Sequence, residues 1–578
     1  MDWDLKAELR ECLQREQGYY VHPAGSRLSF ALVYPNSYRV GMSNLGIHII
    51  YDLLNKRRDT ACERFFLPPR KSLERYRRTK TALMSLETQT PLHRFDIVAF
   101  ALSFEMDYFN VLEILRLGKV ALLSEERGEK APLVIAGGPC ATFNPEPLSL
   151  FVDAFVIGEG EVILPEFMEA FRDVRAHGLS RKETLLRLSE VPGVYVPSLY
   201  DHRYDEEGRI QAIRPLEGAP PTVKRRWVKN LDEHPAHTVV VTEETELNLY
   251  LIETARGCGR HCRFCMAGYC FRRPRNRSLS VLLREVQEAV TFGKRIGLMG
   301  AAISDYPEID RLCKDILGKG LAMSVASFRA DSVTEELVRA LARSGWKTLT
   351  MAPEAGSRRM RAVINKGIEE HHLFAAMDLG LREGIQNFRL YIMIGLPYEE
   401  DEDAEAIVDL ASRLKDFMEA RGGRGTLTLS INPFVPKPFT PFQWMPMASR
   451  RDVERRLKMI QRGLRARKGI HILAESLREA YLQGILARGD RRVSEVLLRA
   501  FERDDRGLKR SMRECGLLPE FYLYRERLPE EIFPWECLDM GFHREYLYEE
   551  ARRAEKFQST PQCFDECRRC GVCYTKDC

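Results

Sequence analysis

The stretch ETARGCGRHCRFCMAGYCFRRPRNRS, residues 253 to 278, sets Cys258, Cys262 and Cys265 in a C-x3-C-x2-C spacing. Thiolates are soft ligands suited to iron and zinc, and iron–sulfur clusters ordinarily take four of them. Three so close together can hold three irons of a 4Fe–4S cluster, leaving the fourth open to an outside ligand. Cys270 is the alternative fourth ligand, in a closed structural site. Zinc is the blander occupant, although its ligands more often come as two spaced pairs than as one tight triplet.

Outward from this loop, the chain is long enough for roughly three to four domains. Its first residues, MDWDLKAELRECLQREQ, are charged and acidic, unlike a signal peptide, and no apolar run reaches the length of a membrane span. A soluble cytoplasmic protein is expected. Fifteen cysteines in a long chain without a signal point to metal or catalysis rather than disulfides. The net charge of +5 is unevenly spread: residues 450 to 513 carry 19 Lys and Arg against 9 Asp and Glu, a local +10, which leaves −5 for the rest. Such a section suits an anionic partner such as RNA, whose binding would weaken steeply with salt. A solvated helix face is the alternative.

On the amino-terminal side, strands are expected at 29–35, 96–104, 132–138 and 153–161, with helical stretches between them. This alternation predicts a doubly wound parallel sheet within an α/β domain over residues 1–175. Ligands of such sheets sit beyond the carboxyl ends of the strands, and those ends are rich in small residues: Ser103, Gly137, Gly138, Thr142, Gly158 and Gly160, with Glu159 between the last two. Glycine lets a backbone approach a ligand closely. Residues 176–245 read as a hairpin, turning at Asp205 to Gly208, and a linker.

On the other side, strands at 249–255, 295–302, 321–329, 348–355, 387–397 and 426–435 alternate with helices, giving six β/α units over residues 246–446. Barrel chemistry gathers at the carboxyl ends of strands, where the cysteine loop falls. Ser304, Arg329, Glu354, Arg389 and Asn432 are placed at the same level. Residues 447–578 are expected to be helical, with one helix carrying Val453, Leu457, Ile460 and Leu464 on a single face and a second running near Leu473 to Arg488. They end in the tail CFDECRRCGVCYTKDC with Cys563, Cys567, Cys570, Cys573 and Cys578. A second 4Fe–4S cluster is the first reading of this tail, structural zinc the second and a redox tail the third.

The triplet with Gly257 and Phe264, together with PEAGS (353–357), NKG (365–367) and IGLP (394–397), resembles the radical S-adenosylmethionine (SAM) family. GGP-x-x-T-x-N-P-E-P followed by GEGE resembles the cobalamin-binding domain that precedes the barrel in a large class of that family. The resemblance implies a 4Fe–4S cluster on Cys258, Cys262 and Cys265 with SAM on its open iron, a partial (β/α)6 barrel, and an electron donor such as ferredoxin or flavodoxin. It also implies cobalamin bound without a histidine on cobalt, since no Asp-x-His-x-x-Gly follows the first strand and His48 reads as an ordinary helix residue. A domain that kept the fold and lost the cofactor is the alternative.

SAM needs a cation for its carboxylate, met by Arg329 or Arg389, and an acceptor for its hydroxyls, met by Glu354. An ion pair in the barrel mouth is the other reading of each. The Gly-Gly-Glu element of relatives is missing after the second strand, so backbone near Gly300 and Ala301, or Ser304, would take its place. The implied activity is reductive cleavage of SAM with cobalamin-dependent C-methylation of an unidentified substrate. Methylthio transfer, a cobalamin-dependent rearrangement and a nonenzymatic iron–sulfur regulator are the competing readings.

Overall fold

A computed structural model describes every residue except Met1, Ala24, Ser26, Glu217, Leu247, Asp565, Glu566 and 573–578. Cys573 and Cys578 therefore lie outside the described residues. The chain forms two units: residues 1–249 with 485–519 and 530–541, and residues 250–484 with 520–529 and 542–578. No helix among the described residues is long and apolar enough to cross a membrane.

The first unit is built on six strands: β1 (Leu28–Tyr34), β2 (Thr60–Phe66), β3 (Ile97–Ala101), β4 (Leu133–Gly137), β5 (Ala154–Val156) and β6 (Val194–Tyr195). Their order is β2-β1-β3-β4-β5-β6, parallel except for the antiparallel β5–β6 pair. The chain steps outward from β1 in both directions, the doubly wound order that opens a crevice between the carboxyl ends of β1 and β3. Strand β2 has no counterpart in the sequence reading because Glu63 and Arg64 interrupt its apolar pattern. Arg64 is nevertheless fully buried, its guanidinium bonded to Glu16 (2.6 and 2.9 Å) and Glu87 (2.7 Å) and stacked over Tyr51. The expected hairpin is β7 (Tyr200–Tyr204) with β8 (Ile210–Pro215). In the linker, β9 (Val223–Lys224) pairs with a late strand, Leu538–Asp539.

His48 is 1% exposed, and both ring nitrogens are engaged by backbone: Nε2 meets Met42 O at 3.1 Å, and Nδ1 accepts from the Val239 and Val240 amides at 3.3 and 3.4 Å. It is a packing residue. Burial depresses its pKa from 6.5 to about 4. A depressed histidine stabilises the fold fully above the unfolded pKa and loses that contribution as pH falls through the folded one. Stability of this unit is therefore expected to decline between pH 6.5 and 4, by about 3 kcal/mol from this residue. Urea melts across that range should show a shallower slope for His48→Gln.

The second unit carries seven parallel barrel strands. The first is β10 (Leu249–Glu253). The cysteine loop follows, pinched at its base by the short antiparallel pair β11 (Ala255–Arg256) and β12 (Arg275–Asn276). Next come β13 (Arg295–Met299), β14 (Met323–Val325), β15 (Thr348–Glu354), β16 (Asn387–Ile394), β17 (Leu427–Pro433) and β18 (Ile470–Ala474). They form two sheets, β10-β13-β14 and β15-β16-β17-β18, joined by a single bridge between Phe328 and Met351. Six β/α units are thus followed by a seventh strand. Leu473, expected near a helix start, lies in β18, and the helix begins at Leu477. A five-residue segment with His471 among four apolar residues is compatible with either, and pairing with β17 decides it.

Candidate active site: the cysteine loop and its clasps

Gly257 opens the loop at φ +84°, and a Cβ there would lie 2.1 Å from the Phe271 carbonyl oxygen. Only glycine fits. Gly257→Ala is expected to cost roughly 1–3 kcal/mol and to lower metal uptake, measured as iron per chain after anaerobic reconstitution.

Two arginines between the cysteines fasten the loop to the barrel. Arg260 clamps Asp305 with two bonds of 2.9 Å and reaches Asp331 at 3.0 Å. Arg263, fully buried, donates to the carbonyls of Ala362 (3.0 Å), Val363 (2.8 Å) and Gln558 (2.6 Å) and pairs with Glu550 at 3.3 Å. Asn365 of the NKG element completes the clasp. Its amide donates to His261 O and Thr560 O, both at 3.0 Å, and its oxygen accepts from Thr560 N at 2.8 Å.

The thiols lie in one another's field. Burial, then the neighbouring Cys262 and Cys258, push Cys265 up to about 12, and burial with Cys262 raises Cys258. Metal binding must therefore release their protons. Among the described residues no three such side chains close on the position of a single ion. Cations stand beside Cys262: the Arg329 guanidinium is 4.0 Å from its sulfur, and Lys366 raises its own pKa partly through that thiol. Thiols, buried cations and a clasped loop fit an anionic thiolate cluster. Cys270 is buried one turn beyond.

Of the barrel candidates, Ser304 and Arg329 meet at this site: Ser304 Oγ accepts from Arg329 N at 3.1 Å and contacts Ser332 Oγ at 2.9 Å. Arg329 grips Asp331 with two 3.0 Å bonds and the Lys366 carbonyl at 2.6 Å. Glu354, ending β15 at φ +66°, pairs with Lys366 at 3.1 Å. Gly300 and Ala301 leave exposed backbone after β13, whereas Ser304 is buried. Asn432 lies late in β17, opposite Met393. Arg389 does not share this level. It is the third residue of β16, level with Thr350, Thr428 and His471 towards the amino ends of the strands. The eight-residue strand was read from its apolar run, which does not locate its carboxyl end. In IGLP, Gly395 N donates to Glu399 at 2.6 Å, and burial holds that carboxyl up to about 7.

Arg260, His261, Arg263, Asp305 and Asp331 carry no signal of their own in the sequence, while Asn365 and Lys366 enter it only as part of the NKG element. The first three stand between the cysteines.

In the first unit the candidates divide. Ser103 Oγ accepts from Asn44 Nδ2 at 3.2 Å across the β1–β3 crevice, and Gly137 and Gly138 lie half-buried at the end of β4. At φ +97°, a Cβ on Gly138 would lie 2.7 Å from Leu102 O. The GEGE end is covered by the chain itself. A Cβ on Gly158 would lie 2.0 Å from Arg226 O, Glu159 accepts from Val228 N at 2.8 Å, and Gly160 packs on Ile50. Thr142 Oγ1 accepts from Gly158 N at 3.2 Å. Asn144 and Glu146 of NPEP anchor Ala487, Gly489 and Arg491. Gly138, Gly158 and Gly160 thus each meet the chain's own atoms where a side chain would lie, and Ser103 and Gly137 are half-buried at the strand ends.

The basic section also divides. Its first helix, Arg450–Leu464, belongs to the second unit and the helix Arg492–Glu502 to the first. Arg456 pairs with Glu399, Arg455 with Asp452, Arg491 with Glu146 and Arg492 with Asp490.

Residues 46–197 match the family described as "Radical SAM proteins, N-terminal", and residues 252–411 match "Radical SAM superfamily". An uncharacterized protein of Methanocaldococcus jannaschii is 30% identical over 469 residues, covering 81% of this chain and 90% of the relative. An uncharacterized methyltransferase of Pyrococcus horikoshii is 27% identical over 296 residues, covering 49% of this chain and 58% of the relative. Among solved structures, the cobalamin-dependent SAM radical enzyme OxsB, with aqua-cobalamin and SAM bound, aligns at 14% identity and a TM-score of 0.48, covering 92% of this chain and 80% of that one. With its cysteine triplet at the carboxyl end of the first barrel strand and matches to both radical SAM regions, the chain belongs to the radical SAM superfamily.

Proposed function

We propose that the protein reductively cleaves SAM at a 4Fe–4S cluster on Cys258, Cys262 and Cys265 and methylates a carbon of its substrate with the help of cobalamin. The observation that carries this reading is the cysteine loop, in which three thiols in mutual contact of charge lie beside Arg329 and Lys366. When bound, the cluster supplies one electron to the sulfonium, SAM the hydrogen-abstracting power and cobalamin the methyl group.

The chain's own residues bind and orient. Arg329, immobilised by Asp331, directs Nη1 towards the cluster position, where it is the cation offered to the SAM carboxylate. Exposed backbone at Gly300 and Ala301 is offered to the SAM amino group, and Glu354, turned by its positive φ, to the ribose. Asn432 is the remaining polar group towards that end. Ser103 and Gly137 are the ledge offered to cobalamin, and the engaged ring of His48 leaves cobalt without a histidine from that helix. An external one-electron reductant, a ferredoxin or flavodoxin, is required.

A second reading, methylthio transfer, is favoured by the packing of Cys563 against Gly259 and His261 of the loop, which suits an auxiliary 4Fe–4S cluster in the tail. Product mass decides. Metabolite extracts incubated with reconstituted enzyme, SAM, cobalamin and reductant should yield a product heavier by one methylene, with both 5′-deoxyadenosine and S-adenosylhomocysteine. A methylthio gain would replace the first reading by the second. Intact cluster with no SAM cleavage under strong reduction would leave a nonenzymatic iron–sulfur protein.

A further inference from the structure

The carboxyl-terminal cysteines do not stand apart from the loop. Cys563 N donates to Gly259 O at 2.8 Å, and Cys563 Sγ lies 3.5 Å from His261 Nε2. Cys567 and Cys570 are 3% and 2% exposed, and both lie close enough for their charges to act on Cys563. Guanidinium groups face the group: Arg569 Nε is 3.3 Å from Cys567 Sγ, and the buried Arg272 feels Cys563 and Cys570. Cys563 is half-buried, and beside Arg569 the Cys567 thiol is held below its ordinary value, towards the thiolate that ligates metal. Among the described residues the side chains are neighbours rather than a closed ligand cage.

His261 stands between two of the first cluster's cysteines in sequence, and its ring can be assigned a direction. Arg272 reaches both ring nitrogens, Nη1 at 3.2 Å from Nδ1 and Nη2 at 3.5 Å from Nε2, and so does not distinguish them. The Tyr546 hydroxyl does: it lies 2.6 Å from Nδ1, and with it donating there Nδ1 presents its lone pair. In the neutral ring the proton is then on Nε2, directed at Cys563 Sγ.

We propose that Cys563, Cys567 and Cys570 ligate a second iron–sulfur cluster, and that His261, from the loop of the first, donates the Nε2 proton to the Cys563 sulfur. This deepens the auxiliary-cluster reading given above and rests on it. Hydrogen bonds to cluster sulfurs are among the groups that set reduction potential, and a donor favours the reduced, more negative state. His261 is thus a positioning residue shared by the two metal sites, and it makes the potential of the tail cluster depend on the shape of the SAM loop.

The test uses the full chain with Cys258, Cys262 and Cys265 all changed to alanine, reconstituted anaerobically with iron and sulfide. About four irons per chain should remain. Adding His261→Ala should move the midpoint potential, read by EPR during a mediated dithionite titration, to more negative values. His261→Gln, which keeps a side-chain N–H donor, should recover part of the shift. A spin-echo measurement on the reduced triple variant grown with 15N-histidine should show a weak nitrogen coupling that vanishes in His261→Gln, and it needs no change at His261 to be observed. Absence of iron, or zinc in its place, would sink both the second cluster and the hydrogen bond. Iron retained with an unmoved potential or no nitrogen coupling would sink the hydrogen bond alone.

Discussion

Cys262→Ala should reduce SAM cleavage to background, a fall of at least roughly 10⁶-fold, because it removes the thiolate that sits closest to the loop's cations. Cys262 is 6% exposed, with Arg329 at 4.0 Å and Lys366 within its field. In the variant, both cations would face a methyl group, and the two remaining thiols cannot complete a cluster with an open iron. Deoxyadenosine formed per chain under dithionite checks the rate, and iron analysis checks the cause: about four irons should be lost. Cleavage persisting above background would mean that Cys270 can substitute, and the triplet reading would fail. Arg329→Lys is the informative companion. It keeps the charge but loses the two-bond grip on Asp331, so it should retain iron while weakening SAM binding.

How legible this was in the sequence can be traced residue by residue. Cys258, Cys262 and Cys265 announced a metal loop through spacing alone, and alternating apolar runs predicted both parallel sheets. The failures have definite causes. β2 was hidden because Arg64 is charged in sequence yet neutralised in space by Glu16 and Glu87, which lie 48 and 23 residues away along the chain. β18 was hidden because four apolar residues with His471 among them carry too little period to separate strand from helix. Arg389 was assigned to the wrong level because an apolar run shows that a strand exists without showing where it ends. A glycine admits any close neighbour, ligand or chain, and beside Gly138, Gly158 and Gly160 the neighbours in the structure are Leu102, Arg226 and Ile50. Contacts between distant segments, such as Asn365 with His261 and Thr560, have no local signature at all.

The same long-range clasps predict the largest loss of stability in the second unit. Arg263 is fully buried and spends its guanidinium on three carbonyls and Glu550, tying residues 362–363 and 558 to the cysteine loop. Arg263→Met would leave those carbonyls without this donor and leave Glu550, 1% exposed, with Thr560 as its bond donor and the partly exposed Arg553, 3.7 Å away, as its remaining cation. Removing one partner of a buried ion pair costs about 3–5 kcal/mol, because the surviving charge remains desolvated. For a unit of this size that corresponds to a fall in melting temperature of roughly 6–20 °C, visible by calorimetry as a shift confined to one of two transitions. The companion change Glu550→Gln separates the two contributions: if the stranded carboxylate dominates, Arg263→Met with Glu550→Gln should be more stable than Arg263→Met alone, by about 1–3 kcal/mol. If the lost carbonyl bonds dominate, the double variant gains nothing, and Arg263 acts chiefly as the loop's anchor to the backbone at 362–363 and 558. In either case iron uptake should fall with stability, since a loop freed from that backbone no longer holds its three thiols in register.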